Sequence, residues 1–78
     1  MSNRDITKIK LSLNGKTLMV PVNSTLLDIV NLHFKGDPLP LKGISAAVNR
    51  EIVFRSQWDT FLLKDSYIIE ILNVTQGG

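Results

Sequence analysis

Hydrophobic and polar residues alternate near the start of the chain, in residues 6–13 (ITKIKLSL). A two-residue period is typical of a strand with one buried face. The Asn14-Gly15 pair that follows indicates a two-residue hairpin turn, because both turn positions need a positive φ. Such a turn pairs Leu13 with Lys16 and so sets the register of a second strand. On this register the buried face carries Ile9, Leu11, Leu18, Val20 and Val22.

The next apolar residues follow a helical period. They are Leu26, Ile29, Val30 and Phe34. Thr25 and Asp28, three residues apart, resemble a capping box with aspartate in place of the usual glutamate. Gly36 and Pro38 mark the end of this helix, because neither residue continues a helix well. The pattern predicts one helix over residues 25–34, packed across the apolar face of the hairpin.

The second half of the chain contains further short strand patterns. Residues 44–49 (ISAAVN) and 51–53 (EIV) predict two strands joined by a turn at Asn49-Arg50. The last strand is predicted over residues 67–72 (YIIEIL). Its two faces carry Tyr67, Ile69 and Ile71 on one side and Ile68, Glu70 and Leu72 on the other.

Residues 55–60 (RSQWDT) predict a turn or a single helical turn between these strands. Trp58 is expected to anchor it in the core, since a tryptophan in a small domain is first a core residue. Phe54 and Trp58 are also alternative anchors for a partner protein.

The order of the elements, β-β-α-β-β-β, predicts an α+β protein. To bury Ile69 and Ile71, the last strand must pair centrally, beside the first strand and parallel to it. This is the β-grasp, or ubiquitin-like, arrangement: a mixed sheet with one helix packed on one face. We expect a single domain over residues 1–78, in which residues 73–78 form a flexible C-terminal tail.

The composition of the chain excludes some classes of function but does not identify one. The 78 residues are enough for one domain, and 44% hydrophobic with 21% charged residues is typical of a globular chain. A net charge of +2, spread along the chain, is too weak to predict nucleic-acid binding. No apolar run approaches the ~18–20 residues of a membrane span, so we expect a soluble, cytoplasmic protein that binds neither nucleic acid nor membrane. The chain has no cysteine, so any sulfur chemistry must use sulfur from outside.

No residue pattern predicts a catalytic or metal site. The Gly15-Lys16-Thr17 run matches the end of a phosphate-binding loop. However, Lys10 stands where that loop needs its first glycine, and a strand follows rather than a helix. His33, the single histidine, is expected to interact with carbonyls at the helix end rather than to bind metal or act as a base. We therefore expect no catalytic residue, no metal and no bound cofactor.

Two features of the second half bear on function, and the first of them indicates partner binding. Ile68 and Leu72 fall on the strand face turned away from the helix, so they predict an exposed apolar docking surface, with Arg55 at its rim. The chain also ends in Gly77-Gly78. At average glycine usage, few chains would end in two glycines by chance. Taken alone, this pair is also compatible with a frayed end.

Residues 47–78 resemble the C-terminal half of the ThiS family, the sulfur carrier of thiamine thiazole synthesis. The residues that match the family pattern are Val48, Asn49, Ile52, Val53, Arg55, Trp58, Ile69, Glu70, Ile71, Gly77 and Gly78. In the first half the resemblance is limited to the hairpin–helix layout. The departures are Phe54 where proline is usual, Ser66-Tyr67 where Gly-Asp is usual, a longer loop around Asp37–Pro40 and a longer segment before Ile6.

The resemblance implies a carrier protein rather than an enzyme. An ATP-dependent E1-like adenylyltransferase (ThiF or MoeB type) would adenylate Gly78, and sulfur from a persulfide donor such as a cysteine desulfurase would convert it to a thiocarboxylate. A thiazole synthase (ThiG type) would then take the sulfur. Gly77 would keep the tail slim and flexible, since glycine lacks a Cβ. Val74, Thr75 and Gln76 would lie extended along the partner's groove.

Other functions stay open at this point. A sulfur carrier for molybdopterin synthesis or tRNA thiolation would share the fold and the Gly-Gly, and a ubiquitin-like modifier would be conjugated to lysines. A non-carrier β-grasp module would bind RNA or protein, and its Gly-Gly would be accidental. The run from Val48 to Trp58 favours the thiazole carrier. The compartment is expected to be a bacterial cytosol or a plastid stroma.

Overall fold

The computed structural model describes residues 7–35 and 43–73. Within these ranges the bounds are β1 Lys8–Leu13, β2 Lys16–Pro21, α1 Leu26–His33, β3 Ile44–Val48, β4 Glu51–Val53, a 3-10 helix Arg55–Gln57 and β5 Ile68–Asn73. The strands form one sheet in the order β2-β1-β5-β3-β4, in which β5 runs parallel to β1 and the other neighbours are antiparallel. The predicted β-grasp fold, with the last strand beside the first, is confirmed.

The first hairpin has the predicted register. The pairs are Leu13–Lys16, Leu11–Leu18 and Ile9–Val20. Asn14 and Gly15 have φ of 50° and 86°, the left-handed conformation that a two-residue turn requires. The sequence of the turn therefore fixes which residues of β2 face the core.

The prediction that Val22 lies on the buried face is wrong. β2 ends at Pro21, and Val22 is 42% exposed in the turn that follows. Asn23 has a φ of 74°, and the N–H and the hydroxyl of Ser24 both donate to the Pro21 carbonyl, at 3.2 and 2.6 Å. The alternation stops here because these bonds turn the chain toward the helix.

Helix α1 begins with the predicted capping box. The Thr25 hydroxyl accepts from the Asp28 N–H at 3.2 Å, and the Asp28 carboxylate accepts from the Thr25 N–H at 2.9 Å. Thr25 and Phe34 are the caps of the helix rather than its first and last residues. The predicted stop residues, Gly36 and Pro38, lie outside the described residues.

The helix and the inner face of the sheet enclose the core. Its buried hydrophobic residues are Ile9, Leu11, Val20, Leu26, Ile29, Val30, Ala46, Val48, Val53, Trp58, Leu63, Ile69 and Ile71. Trp58 is a core anchor, as predicted. Its indole N–H donates to the Val53 carbonyl at 2.9 Å, and its own carbonyl accepts from the Leu27 N–H at 3.0 Å. Trp58 therefore ties the segment after β4 to both β4 and the helix.

Strand β5 lies one residue later than predicted. It runs from Ile68 to Asn73, so Tyr67 precedes the strand, and Asn73, predicted to begin the tail, is paired with Ile44 of β3. Asn49, predicted both to end β3 and to begin the turn, lies in the turn with a φ of 52°. These are single-residue differences at element ends, and the buried face of β5 is the predicted one.

Candidate functional site

The predicted functional residues form two groups, the tail and the outer face of the sheet. The tail residues Val74, Thr75, Gln76, Gly77 and Gly78 lie outside the described residues. The structure describes the point from which they depart, because Asn73 is the last residue of β5 and lies opposite Ile44. β5 is the third of five strands; β1 pairs with it only at Ile68 and Ile69, whereas β3 pairs with it as far as Asn73.

The outer face of β5 carries exposed apolar side chains, as predicted. Ile68 and Leu72 are 51% and 61% exposed, whereas Ile69 and Ile71 are 0% and 3% exposed. Because successive side chains of a strand point to opposite faces, Ile68 and Leu72 lie on the face turned away from α1. The exposed Glu70 lies between them on that face.

Two residues on the edge of the sheet extend this apolar surface. Ile52 is 63% exposed and lies opposite Ala47 of β3, which itself lies opposite Glu70 of β5. Phe54 follows β4 in an extended conformation and is 70% exposed. We call Ile52, Phe54, Ile68 and Leu72 the outer patch. Ile52 was not predicted to belong to it; the antiparallel pairing of β3 with β4 is the signal that assigns it to this face.

On the β1–β2 side of β5, the outer face of the sheet carries two lysines. Lys8 and Lys10 of β1 are exposed there, and the exposed Met19 of β2 lies opposite Lys10. Because Ser12 lies opposite Ile68, the first residue of β5, the two lysines lie beyond the start of that strand. The Asp65 carboxylate accepts from the Lys10 backbone N–H at 2.8 Å, so acidic and basic groups lie together there.

Arg55 lies at the edge of the sheet. It begins the 3-10 helix after β4, the outermost strand, and its guanidinium carbon lies 5.5 Å from the centre of the Trp58 ring. A guanidinium at this distance makes a cation–π contact with the indole. Arg55 follows Phe54 in the chain, and strands β3 and β4 separate it from β5, so it does not lie beside Ile68 or Leu72, where it was predicted.

The remaining candidate residues do not form a reaction centre. Across residues 7–35 and 43–73, no three His, Asp or Glu side chains are grouped so that they could hold a metal. His33 is exposed, and its ring packs edge-on against Phe34 with the centroids 5.1 Å apart. Lys16 and Thr17 lie in β2, a strand, where a phosphate-binding loop needs a helix. In the same parts of the chain no helix is both long and apolar enough to cross a membrane.

Comparison with known proteins gives a family and a fold. The ThiS family matches residues 4–78, a range that includes the outer patch and extends to Gly78. No curated protein sequence matches the chain. The crystal structure of the thiamine biosynthesis protein (ThiS) from Geobacter metallireducens matches with a TM-score of 0.70 and 21% identity, over 90% of this chain and 100% of that chain. This likeness shows that the two chains share a fold.

Proposed function

The chain belongs to the ThiS family, a family of sulfur carriers in thiamine biosynthesis, and from this premise we propose that it carries sulfur on the carboxyl group of Gly78. In this proposal the chain is a substrate of its partners rather than an enzyme. Its sulfur is delivered to the synthesis of the thiazole ring. The partners supply the activation, the sulfur and the acceptor.

The proposed reaction begins at a carboxylate, which is a poor electrophile. An E1-like adenylyltransferase would bind ATP, join AMP to the carboxylate of Gly78 and release pyrophosphate. The terminal sulfur of a persulfide on the donor would attack the acyl carbon and displace AMP. Reduction of the resulting acyl disulfide by a thiol would leave the thiocarboxylate. Because the chain has no cysteine, each thiol and persulfide in these steps belongs to a partner.

Glycine suits the reacting position because it has no Cβ to crowd the carbonyl carbon. Gly77 lets the segment pass through a narrow channel for the same reason. Residues 74–78 can extend at most ~17–18 Å beyond Asn73, at about 3.3–3.6 Å for each extended residue. Within that length, residues 74–76 offer backbone groups that can pair along a groove of the partner.

The observation that carries the proposal is the outer patch beside the strand that leads into the tail. Several large exposed apolar side chains on one face of a sheet indicate a protein contact. Leu72 immediately precedes Asn73, so a partner that covers the outer patch also lies next to the departing tail. We therefore propose the outer patch, bordered by Arg55, as the docking surface for the adenylyltransferase.

The other partners follow from the same chemistry. The chain itself needs no bound cofactor, because ATP is bound by the adenylyltransferase. A persulfide donor such as a cysteine desulfurase would load the sulfur, and a thiazole synthase would receive it. Because activation consumes ATP, we propose a cytoplasmic compartment, either a bacterial cytosol or a plastid stroma.

Intact-mass spectrometry of the chain purified from its own cells tests this proposal. We expect a fraction heavier by the difference between one sulfur and one oxygen atom, with fragment ions that assign the sulfur to Gly78. The fraction should increase when the thiazole synthase is deleted. An increase only when molybdopterin synthesis or tRNA thiolation is blocked would assign the carrier to that pathway. Lysine-linked adducts would indicate a modifier, and an unmodified chain under every condition would contradict the proposal.

Variants of the chain end test the reacting residue directly. Deletion of Gly78 withdraws the carboxylate by about 3.3–3.6 Å, and reaction needs the atoms within about 3–3.5 Å, so ATP–pyrophosphate exchange with the adenylyltransferase should be lost. An alanine added after Gly78 should abolish exchange as well, whereas Gly77→Ala should reduce it less. Denaturation midpoints of all three variants should equal that of the wild type. Near-normal exchange by the deletion variant would disprove the role of Gly78.

A further inference from the structure

Two asparagines hold the two ends of β5 from opposite sides. Both stand in hairpin turns with a positive φ, 50° at Asn14 and 52° at Asn49. Asn14 lies between β1 and β2, and Asn49 lies between β3 and β4. Since β1 and β3 are the neighbours of β5, each turn brings its asparagine to one edge of that strand.

Asn14 makes three hydrogen bonds to β5. Its backbone N–H donates to the Ile69 carbonyl at 2.9 Å. Its side chain pairs with both backbone groups of Ile71: Oδ1 accepts from the N–H at 2.8 Å, and Nδ2 donates to the carbonyl at 3.2 Å. A carboxamide offers the same donor and acceptor as a peptide group. The side chain therefore extends the ladder between β1 and β5 beyond the end of β1.

Asn49 holds the other end of the strand. Its backbone N–H donates to the Ile68 carbonyl at 2.7 Å, and its Oδ1 accepts from the Ile68 N–H at 3.0 Å. Ile68 is the first residue of β5, whereas Ile71 stands two residues before the last one, Asn73. Asn49 thus secures the beginning of the strand, and Asn14 secures the end that leads into the tail.

We propose that Asn14 is a positioning residue for the proposed reaction: it fixes the end of β5 that precedes residues 74–78. The inference rests on the proposed function, in which Gly78 must reach a reactive site inside the adenylyltransferase. Ile71 is bonded to Asn14 on one edge and lies opposite Ala46 of β3 on the other. Loss of the carboxamide frees the first edge, so the strand end can swing about its contacts with β3.

Asn14→Gly and Asn49→Gly form a matched pair for the test. Glycine adopts the positive φ of either turn without strain, so each variant removes a carboxamide and keeps the turn. Both positions are exposed and lie outside the core, so we expect both variants to fold. Asn14→Asp is the conservative variant, because it keeps the acceptor for the Ile71 N–H but lacks the donor to the Ile71 carbonyl.

Hydrogen exchange measures each contact without any partner. The Ile71 N–H reports on Asn14, and the Ile68 N–H reports on Asn49. We expect Asn14→Gly to speed exchange at Ile71 about three- to tenfold and to leave Ile68 unchanged, and Asn49→Gly to do the reverse. Normal protection of Ile71 in Asn14→Gly would overturn the inference, whatever the activity.

ATP–pyrophosphate exchange with the E1-like adenylyltransferase of the same cells shows whether Asn14 acts by positioning Gly78 for reaction or by helping the chain bind the enzyme. We expect Asn14→Gly to lower kcat about tenfold and to change KM less, because a displacement of about 1 Å can cost up to ~100-fold in rate, whereas Leu72 stays paired with Ser45 of β3 and the other residues of the outer patch lie away from the freed end. The kcat of Asn14→Asp should lie between those of Asn14→Gly and the wild type, and the kcat of Asn49→Gly should match that of the wild type, because the end of β5 next to the tail keeps its bonds to Asn14. Equal kcat for Asn14→Gly and the wild type would overturn the positioning role alone. Failure of the wild-type chain to support exchange would overturn the proposed function and this role with it.

Discussion

The two faces of β5 differ sharply, although their residues alternate in one strand. Ile69 and Ile71 are buried against the helix, whereas Ile68 and Leu72 are more than half exposed on the opposite face. All four are large aliphatic residues, so hydrophobicity alone does not separate them. The difference teaches that one strand can supply the core on one side and the proposed partner surface on the other. The register of β5 then decides both the stability of the fold and the composition of the proposed partner surface.

This register is fixed by several contacts. β5 pairs with β3 at five positions and with β1 at Ser12–Ile68 and Leu13–Ile69. A slip of one residue would turn the inner residues of β5 outward and the outer residues inward. Such a slip would break the side-chain bonds of both turn asparagines at once, so those bonds oppose it.

The largest expected effect is on stability, from truncation of the inner face. Ile71→Ala should reduce the free energy of unfolding by about 2–4 kcal/mol, because it removes buried methyl groups and leaves a cavity. The matched control, Leu72→Ala, removes a mostly exposed side chain and should change stability by less than about 0.5 kcal/mol. Chemical denaturation measures both. Similar losses for the two variants would mean that the faces are not distinct.

A smaller effect, on binding, is expected from a charge in the outer patch. Leu72→Asp should weaken binding to the adenylyltransferase about ten- to a hundredfold, because the contact would bury an unpaired carboxylate. Leu62→Asp is the control: Leu62 is 53% exposed but pairs with Thr25 at the start of the helix, away from the outer patch. Calorimetric titration measures the affinity of both variants for the adenylyltransferase. An affinity unchanged by Leu72→Asp would move the docking surface elsewhere.

A small effect on stability is also expected at Phe54, where the family pattern that the sequence resembles has proline. The φ of Phe54 is −67°, close to the value that a proline ring imposes, and Val53 before it lies in a strand. Phe54→Pro should therefore change the free energy of unfolding by no more than about 1 kcal/mol. It should still weaken partner binding, because it removes the largest side chain of the outer patch. A stability loss well above that limit would show that the phenyl ring contributes to the fold.

Local signals in the sequence were sufficient for most of the fold. The Asn-Gly turn gave the hairpin register, and Thr25 with Asp28 gave the start of the helix, because these signals act over two to four residues. Val22 was assigned wrongly because the alternation was extended past Pro21, where the bonds of Ser24 turn the chain. The ends of β3 and β5 were one residue off, since a strand end depends on its neighbours in the sheet.

The candidate site was less predictable because it is built across strands. Ile68 and Leu72 could be assigned from one strand and its alternation. Ile52 could not, because its face is defined by the pairing of β4 with β3 and of β3 with β5. The contacts of Asn14 with Ile71 were also missed, since an Asn-Gly pair indicates a turn and says nothing about a strand far away in the sequence.

The parallel pairing of β1 with β5 also decides when a newly made chain can fold. Asn14 and Ile71 lie 57 residues apart in the sequence. During synthesis the first hairpin and the helix are made before β5, and contacts across so long a span form late because loop closure costs entropy. A nascent chain that stops before β5 lacks Ile69 and Ile71 for its core and two of the four residues of the outer patch. An unfinished carrier therefore has neither a stable fold nor a complete surface with which to occupy a partner.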